Sequence, residues 1–339
     1  MNSSTKLGGF KILKGVVWTS LVLSKDSGNP VVEFFHYLAS EQINIPFVTC
    51  VNQGNAWLLN LAFESDEASK ASAVFEKKAL NKEAMKTSGA AILSIFPHKK
   101  SPKITGAVLD IYGREMVNPA AFASSPSAIS VVLREETIDR ATSCLFEPLR
   151  FSAYRTPEDW KLAQKGKETL YKEVVASYQE KRPKVYFIEW QDEQFLLEVM
   201  LAGEKLRLLG YAFQKFDETG IPLNFLVSTP LEIGKDVGFF FCVPTIPEVV
   251  YDDMIKRAVP GASTRQIPHV AVFSMNGPHF GDRYGIISDL FMALDSAQIE
   301  LLGLSCSIHS ITGALPGDKI HDALEAIQGC FDVPSIIKR

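Results

Sequence analysis

Four times along this chain a segment with helical apolar periodicity ends and passes through one branched apolar residue into a short apolar strand. The handovers read SEQINIPFVTC (Ser40 to Cys50), GREMVNPAAFASS (Gly113 to Ser125), DETGIPLNFLVST (Asp217 to Thr229) and DSAQIELLGLSCS (Asp295 to Ser307). With Ile43, Val117, Ile221 and Ile299 as anchors, the gaps are 74, 104 and 78 residues. The middle gap is longer because a charged helical insert, about Thr156 to Arg182, lies inside it. A unit recurring at this spacing predicts repeated small domains rather than one large catalytic fold.

Each unit predicts the order strand, helix, strand, strand, helix. In the first, VVWTSLVLS alternates and is rich in β-branched residues, so it reads as a strand. Lys25 to Pro30 is a turn cluster, and Val32, Phe35, Leu38 and Ala39 fall at helical spacing. IPFVTCVN and AWLLNLAFE follow as strands around Gly54. The second unit repeats the order, with Thr137 as the expected N-cap of its closing helix. A helix is expected from Pro157 to about Lys181, with Pro183 ending it. The third unit opens with two strands, KVYFIEW and FLLEVMLAG, and closes with a helix over PEVVYDDMIKRAV. The fourth holds the strand VAVFSMNG, the loop PHFGDRYG and the helix IISDLFMALDSA. The expected fold is α+β: four tandem ferredoxin-like units in two pairs, antiparallel sheets with helices on one face, linked by a charged helix. The boundaries are 10-86, 87-152, 153-183 for the linker, 184-262 and 263-339.

Composition narrows the function. A net charge of -4 argues against nucleic acid as a partner, because phosphate neutralisation needs a basic face. No apolar run reaches the ~20 residues needed to cross a bilayer, and the start lacks an apolar signal segment, so a cytoplasmic protein without membrane contact is expected. Cys50, Cys144, Cys242, Cys306 and Cys330 show no CxxC spacing and are odd in number, which reads as free structural thiols. The six histidines include no HExxH pattern, so no metal is expected. Neither a GxSxG elbow nor a P-loop occurs, and Asp252 with Asp253 reads as a solvated helix face. No cofactor is expected.

The unit order and the junctions resemble ACT domains, above all the paired regulatory ACT domains of aspartokinases. The stretch VAVFSMNGPHFGDRYGIISDLFMALDSAQIELLGLSCSI is similar to an aspartokinase strand, Gly-containing loop and helix; ISVVLREETIDRATSCLF and ITGALPGDKIHDALEAI resemble its final strand and helix. The resemblance covers about Gly15 to Pro334 apart from the insert. It implies an allosteric regulatory module whose units pair side by side and bind a small-molecule effector, commonly an amino acid, at the pair interface near the first loop and helix. Aspartokinases carry an amino-kinase domain ahead of these units, and here the first unit begins close to Met1. The expectation is therefore a protein that is not an enzyme.

Two loops are best equipped for such a ligand. The fourth unit offers Asn276, Gly277, His279, Phe280, Gly281, Asp282 and Arg283; the first offers Asp26, Ser27, Gly28 and Asn29. Free N–H groups at a helix start suit an α-carboxylate, and glycines admit a ligand close to the backbone. The bland alternative is that Asp282 caps a helix and the glycines make a turn. The second unit's loop, Pro97 to Pro102, is basic and proline-bounded and reads as degenerate for this role, and the third's, Ala202 to Lys205, is short. Two further readings stay open: a regulatory subunit docking a metabolic enzyme without a ligand, and an enzyme with an unrecognised site. Sheet edges leave room for a homodimer. The effector itself is not named by any acidic cluster or aromatic box.

Overall fold

The four handovers share one piece of backbone chemistry. Gln42, Met116, Gly220 and Gln298 all take positive φ, at 56°, 52°, 72° and 56°. The next residue's N–H then reaches back into the helix: Ile43 to the Leu38 carbonyl at 2.9 Å, Val117 to Tyr112 at 2.8 Å, Ile221 to Phe216 at 2.8 Å and Ile299 to Leu294 at 2.9 Å. This left-handed closure satisfies a carbonyl that the helix end leaves open. It also turns the chain inward, so all four anchors are buried. The periodic spacing in the sequence is the trace of this repeated turn.

The computed structural model describes residues 6–25, 28–77, 85–96, 100–126, 128–152, 154–164, 182–230, 236–278, 280, 283–307 and 310–339. After β1 (Lys6–Leu7), the first segment holds β2 (Gly9–Ser24), α1 (Pro30–Ser40), β3 (Phe47–Asn52), β4 (Ala56–Glu64) and α2 (Ala68–Lys77). The second holds β5 (Met85–Phe96), α3 (Pro102–Arg114), β6 (Ala121–Ser124), β7 (Ile129–Arg134) and α4 (Ile138–Cys144). Then come β8 (Arg150–Phe151), which pairs with β1, and α5 (Pro157–Gln164). The third segment is β9 (Phe187–Ala202), α6 (Leu206–Glu218), β10 (Phe225–Ser228), β11 (Asp236–Pro244) and α7 (Tyr251–Ala258). The fourth is β12 (Ser263–Asn276), α8 (Ile286–Ser296), β13 (Gly303–Cys306), β14 (Ser310–Pro316), α9 (Ile320–Cys330) and β15 (Ile336–Lys338).

One 13-stranded sheet runs in the order β11-β10-β6-β7-β5-β2-β4-β3-β13-β14-β12-β9-β15, and β9 pairs with β11 as well, so the order returns to its start. Four long strands make this closure. In β2, Gly9 to Leu13 pairs only with β5, while Val16 to Ser24 also pairs with β4. The register shifts at the bend, where Gly15 and Gly89 take φ of 69° and 66°. A bulge of this kind re-aims a strand. Strands β9 and β12 repeat the device, with Glu193 and His269 at φ of 51° and 54°. The sequence expectation of two strands, KVYFIEW and FLLEVMLAG, is thus corrected to one bent strand.

The two halves of the sheet lie face to face. Val16, Trp18, Phe47, Ile92, Phe225, Val227 and Phe240 share the cluster between them. Across the same gap the Asn60 amide donates to the Ser228 carbonyl at 3.0 Å. Helices cover the outer faces. One outer core joins α1 and α8 with Phe34, Phe35, Leu290 and Phe291; the other joins α3 and α6 with Val108, Tyr112, Leu209 and Phe213.

Segment pairing does not follow chain order. Strand β3 bonds to β13, joining the first segment to the fourth, and β6 bonds to β10, joining the second to the third. Three local expectations also change. Thr137 donates its hydroxyl to the Arg134 carbonyl at 2.7 Å and caps nothing. The helix expected after Pro247 begins only at Tyr251, whose hydroxyl donates to the Pro244 carbonyl at 2.6 Å. The insert helix is described from Pro157 to Gln164, and its remainder lies outside the described residues.

Candidate functional site

The two segment pairs differ in how tightly their helices meet. Helices α3 and α6 touch backbone to backbone at Gly106 and Gly210, where an added Cβ on Gly106 would lie 2.5 Å from the Gly210 carbonyl oxygen. Arg207 Nε donates to Asp110 Oδ1 at 2.7 Å, and Ser101 Oγ donates to Asp217 Oδ1 at 2.9 Å. These contacts hold α3 and α6 together at several points along the pair.

Helices α1 and α8 carry large side chains instead. Phe35 stacks on Phe291 with centroids 5.3 Å apart, and Trp57 meets Phe291 edge-on at 5.9 Å. The helices run antiparallel: Asn29 at the start of α1 donates to Asp295 at the end of α8, at 2.8 Å, while Gly285 at the start of α8 sits beside Ala39 at the end of α1. An 11-residue helix spans about 16 Å, so the interface has two well-separated ends.

One end is a narrow cleft of about 10 Å3, room for about one water, between the end of α1 and the start of α8, lined among others by Leu38, Ala39, Ile43, Arg283, Gly285 and Ser288. Its chemistry follows from the helix termini. The N–H groups of Ile286, Ile287 and Ser288 precede the first intrahelical bond of α8, from the Asp289 N–H to the Gly285 carbonyl at 2.8 Å. They favour an anion, whereas the facing end of α1 favours a cation. Gly285 stands at the N-cap of α8 with φ of 86°, and no side-chain cap bond is made there among the described residues. Ser288 is 2% exposed, and its hydroxyl has no partner among the described residues. A buried hydroxyl without a partner is costly, and the cleft beside Ser288 has room for about one water to meet it. Burial raises the carboxyl pKa of Asp289, and the neighbouring Arg283 charge pulls it back.

The residues expected from sequence divide between the two ends. Asn276 ends β12 in register with Ser310. Gly277 is packed, since a Cβ there would lie 2.7 Å from the Lys184 carbonyl oxygen and the Phe280 ring. Phe280 is buried against Phe331 and forms a cleft wall. Arg283 lines the cleft. Gly28 takes φ of 71°, and Asn29 bonds across to Asp295 at the other end. His279, Gly281, Asp282, Asp26 and Ser27 lie outside the described residues. Ser288 and the α1 residues facing it were not singled out from the sequence. Pairing the handover of one segment with the helix start of another is the signal that finds them.

No protein-family model matches the sequence, and no curated protein does. Solved structures do. An aspartate kinase from Synechocystis overlays on 98% of this chain with a TM-score of 0.78 at 17% identity. The chain spans 57% of that enzyme's length. The regulatory subunit of aspartate kinase from Thermus thermophilus, in a ligand-free form, aligns over 42% of this chain and 99% of its own at 17% identity, with a TM-score of 0.38. The E. coli aspartokinase III complex with aspartate and ADP aligns over 44% of this chain and 34% of its own at 14% identity, with a TM-score of 0.34. The chain has an aspartokinase-like mixed α+β fold. The overlay on the Synechocystis protein corrects one expectation: a chain that matches part of an enzyme over nearly its whole length is not to be classed as a non-enzyme, and that classification is withdrawn. Among the described residues no helix is long and apolar enough to cross a membrane, and no group of three or more His, Cys, Asp or Glu side chains could hold a metal ion.

Proposed function

We propose that this chain is an effector-sensing region built from four ACT-like units, and that it binds a small molecule, an amino acid, between α1 and α8, where the narrow cleft widens to admit it. The first and fourth units then form the sensing pair and the second and third the supporting pair. The observation that carries this reading is the start of α8, where Ser288, a cleft residue with a buried and unpartnered hydroxyl, stands beside the first N–H groups and opposite the end of α1. An amino acid is a zwitterion, and the cleft sets a helix N-terminus opposite a helix C-terminus. The ligand carboxylate takes the α8 start, Ser288 and Arg283; the ammonium takes the carbonyl end of α1. The looser packing of α1 on α8, against the glycine contact of α3 on α6, explains why the cleft is at this interface.

The test is a thermal-shift screen of the chain against the twenty amino acids, repeated on Ser288→Ala. A ligand at 100 times its Kd stabilises the folded state by about 2.7 kcal/mol. Loss of a hydrogen bond to a charged group, about 1.5–3 kcal/mol, weakens binding by roughly 10- to 100-fold. Without ligand the variant should be no less stable than the parent, because the orphaned hydroxyl is gone. If no amino acid shifts the melting temperature, the sensing reading fails and a docked enzyme becomes the function to pursue.

A further inference from the structure

The opposite end of the same interface holds a different set of residues in the same backbone frame. Strand register places Ser24 opposite Ala56 and Asn276 opposite Ser310, so Lys25 corresponds to Gly277. The left-handed Gln42 and Gln298 align Asn44 with Glu300. The helix starts align Asn29 with Gly285, and the helix ends align Ala39 with Asp295. The open end therefore has Gly277, Asn44, Gly285 and Ala39 where the other has Lys25, Glu300, Asn29 and Asp295.

Those four substitutions close the second end. The Lys25 ammonium donates to Asn52 Oδ1 at 2.7 Å, pairs with the Glu300 carboxylate and lies 5.4 Å from the Trp57 ring centroid. Its side chain is 16% exposed. Asn52 is held in turn by a bond from its amide to the Leu301 carbonyl at 3.1 Å. Carboxylate, amide oxygen and aromatic face together are what a binding site offers to an alkylammonium ion. Here they come from both partners of the interface, with Glu300 on the fourth segment and Asn52 and Trp57 on the first. The ammonium stands at the C-terminal side of α8, where the dipole favours a cation.

We infer that this end is a second binding site for a primary ammonium group, occupied by the chain's own Lys25. It deepens the sensing reading, since it makes the pair bind one external ligand rather than two, but its own test needs no effector. Beyond Cβ the Lys25 tail is a propylammonium, so Lys25→Ala leaves a box that external n-propylammonium fits.

Melting temperatures of the parent chain, Lys25→Ala and the double variant Lys25→Ala with Glu300→Gln are compared in n-propylammonium chloride and in sodium chloride of equal ionic strength. The expected result is a rise of about 2 °C specific to the amine in Lys25→Ala at concentrations well above its Kd. The parent should show none, and the double variant less than half of it. Equal response of all three proteins, or none in Lys25→Ala, overturns the inference. Lys25→Met, which keeps the stem and drops the charge, guards against a variant that does not fold: a melting temperature equal to the parent's shows that the ammonium holds nothing there and also overturns it. The amino-acid screen can fail while the amine result stands, and the reverse, so the two readings fall separately.

Discussion

The contact between Gly106 and Gly210 allows a prediction whose sign is opposite to the usual rule. Glycine inside an exposed helix costs about 1 kcal/mol relative to alanine, so Gly→Ala there ordinarily stabilises. At Gly106 the new methyl carbon would stand 2.5 Å from the Gly210 carbonyl oxygen and 3.2 Å from the Gln214 Cγ. Ordinary contact begins at 3.4 Å, so α3 and α6 must part by about 1 Å or bend. The obstacle is backbone, which cannot swing aside as a side chain does. Overpacking of this kind costs about 1–3 kcal/mol. Separation would also stretch the 2.7 Å Arg207–Asp110 bond on the same interface. The propensity gain offsets part of this, and the net expected loss is about 1–2 kcal/mol, a fall of several degrees in melting temperature. Gly329 is the internal control. It lies in α9, and a Cβ there meets nothing within 4 Å, so Gly329→Ala should gain about 0.5–1 kcal/mol. Thermal or urea unfolding of both variants decides the matter. A Gly106→Ala protein at least as stable as its parent, with Gly329→Ala behaving as stated, would refute the idea that this interface is set by backbone contact.

Met116 is 74% exposed and takes φ of 52°, a conformation that costs a side-chain-bearing residue about 1 kcal/mol. Met116→Gly should therefore stabilise by about that much, read as a higher urea midpoint at unchanged slope. Asp289 has a carboxyl pKa raised by burial, so the folded chain holds its proton more tightly than the unfolded one. Its stabilising share is complete below the ordinary value of 3.8 and is lost as pH rises through the higher folded value. Asp289→Asn should flatten stability across that window, and an unchanged pH profile by thermal melting would argue against it.

Much of the fold was legible because the handover is local chemistry. A helix that ends in one left-handed residue and buries the next leaves a fixed spacing in the sequence, whether the left-handed residue is Gly220 or, against preference, Gln42, Met116 or Gln298. Strand and helix order in each segment followed from periodicity for the same reason. Helix ends were less legible where a tyrosine tether replaced a cap, as at Tyr251 and the Pro244 carbonyl. The segment pairing was not legible at all. It is decided by β3 meeting β13 and β6 meeting β10, contacts between residues more than a hundred positions apart that no local pattern records. The continuity of β9 across Gln191 to Glu193 was hidden too, because polar residues at a bulge look like a turn.

The site was half legible, and the missing half explains the asymmetry of the molecule. Glycines and polar residues before α1 and α8 mark both loops in the sequence, and of their described residues Asn29 and Gly285 lie at the α1–α8 interface. Yet each loop is completed by the helix end of the other segment, so the property that matters lies in pairs such as Gly285 with Ala39 and Asn29 with Asp295. Read as single positions, Lys25 and Glu300 are unremarkable surface charges. Read through the approximate twofold, they stand where the other end has Asn44 and a Gly277 packed against Phe280. A duplicated frame can thus keep one end for an external ligand and close the other with its own side chain. The closing residues lie outside the Phe35–Phe291 stack and reach the core at one point, where the Lys25 ammonium stands over the Trp57 ring.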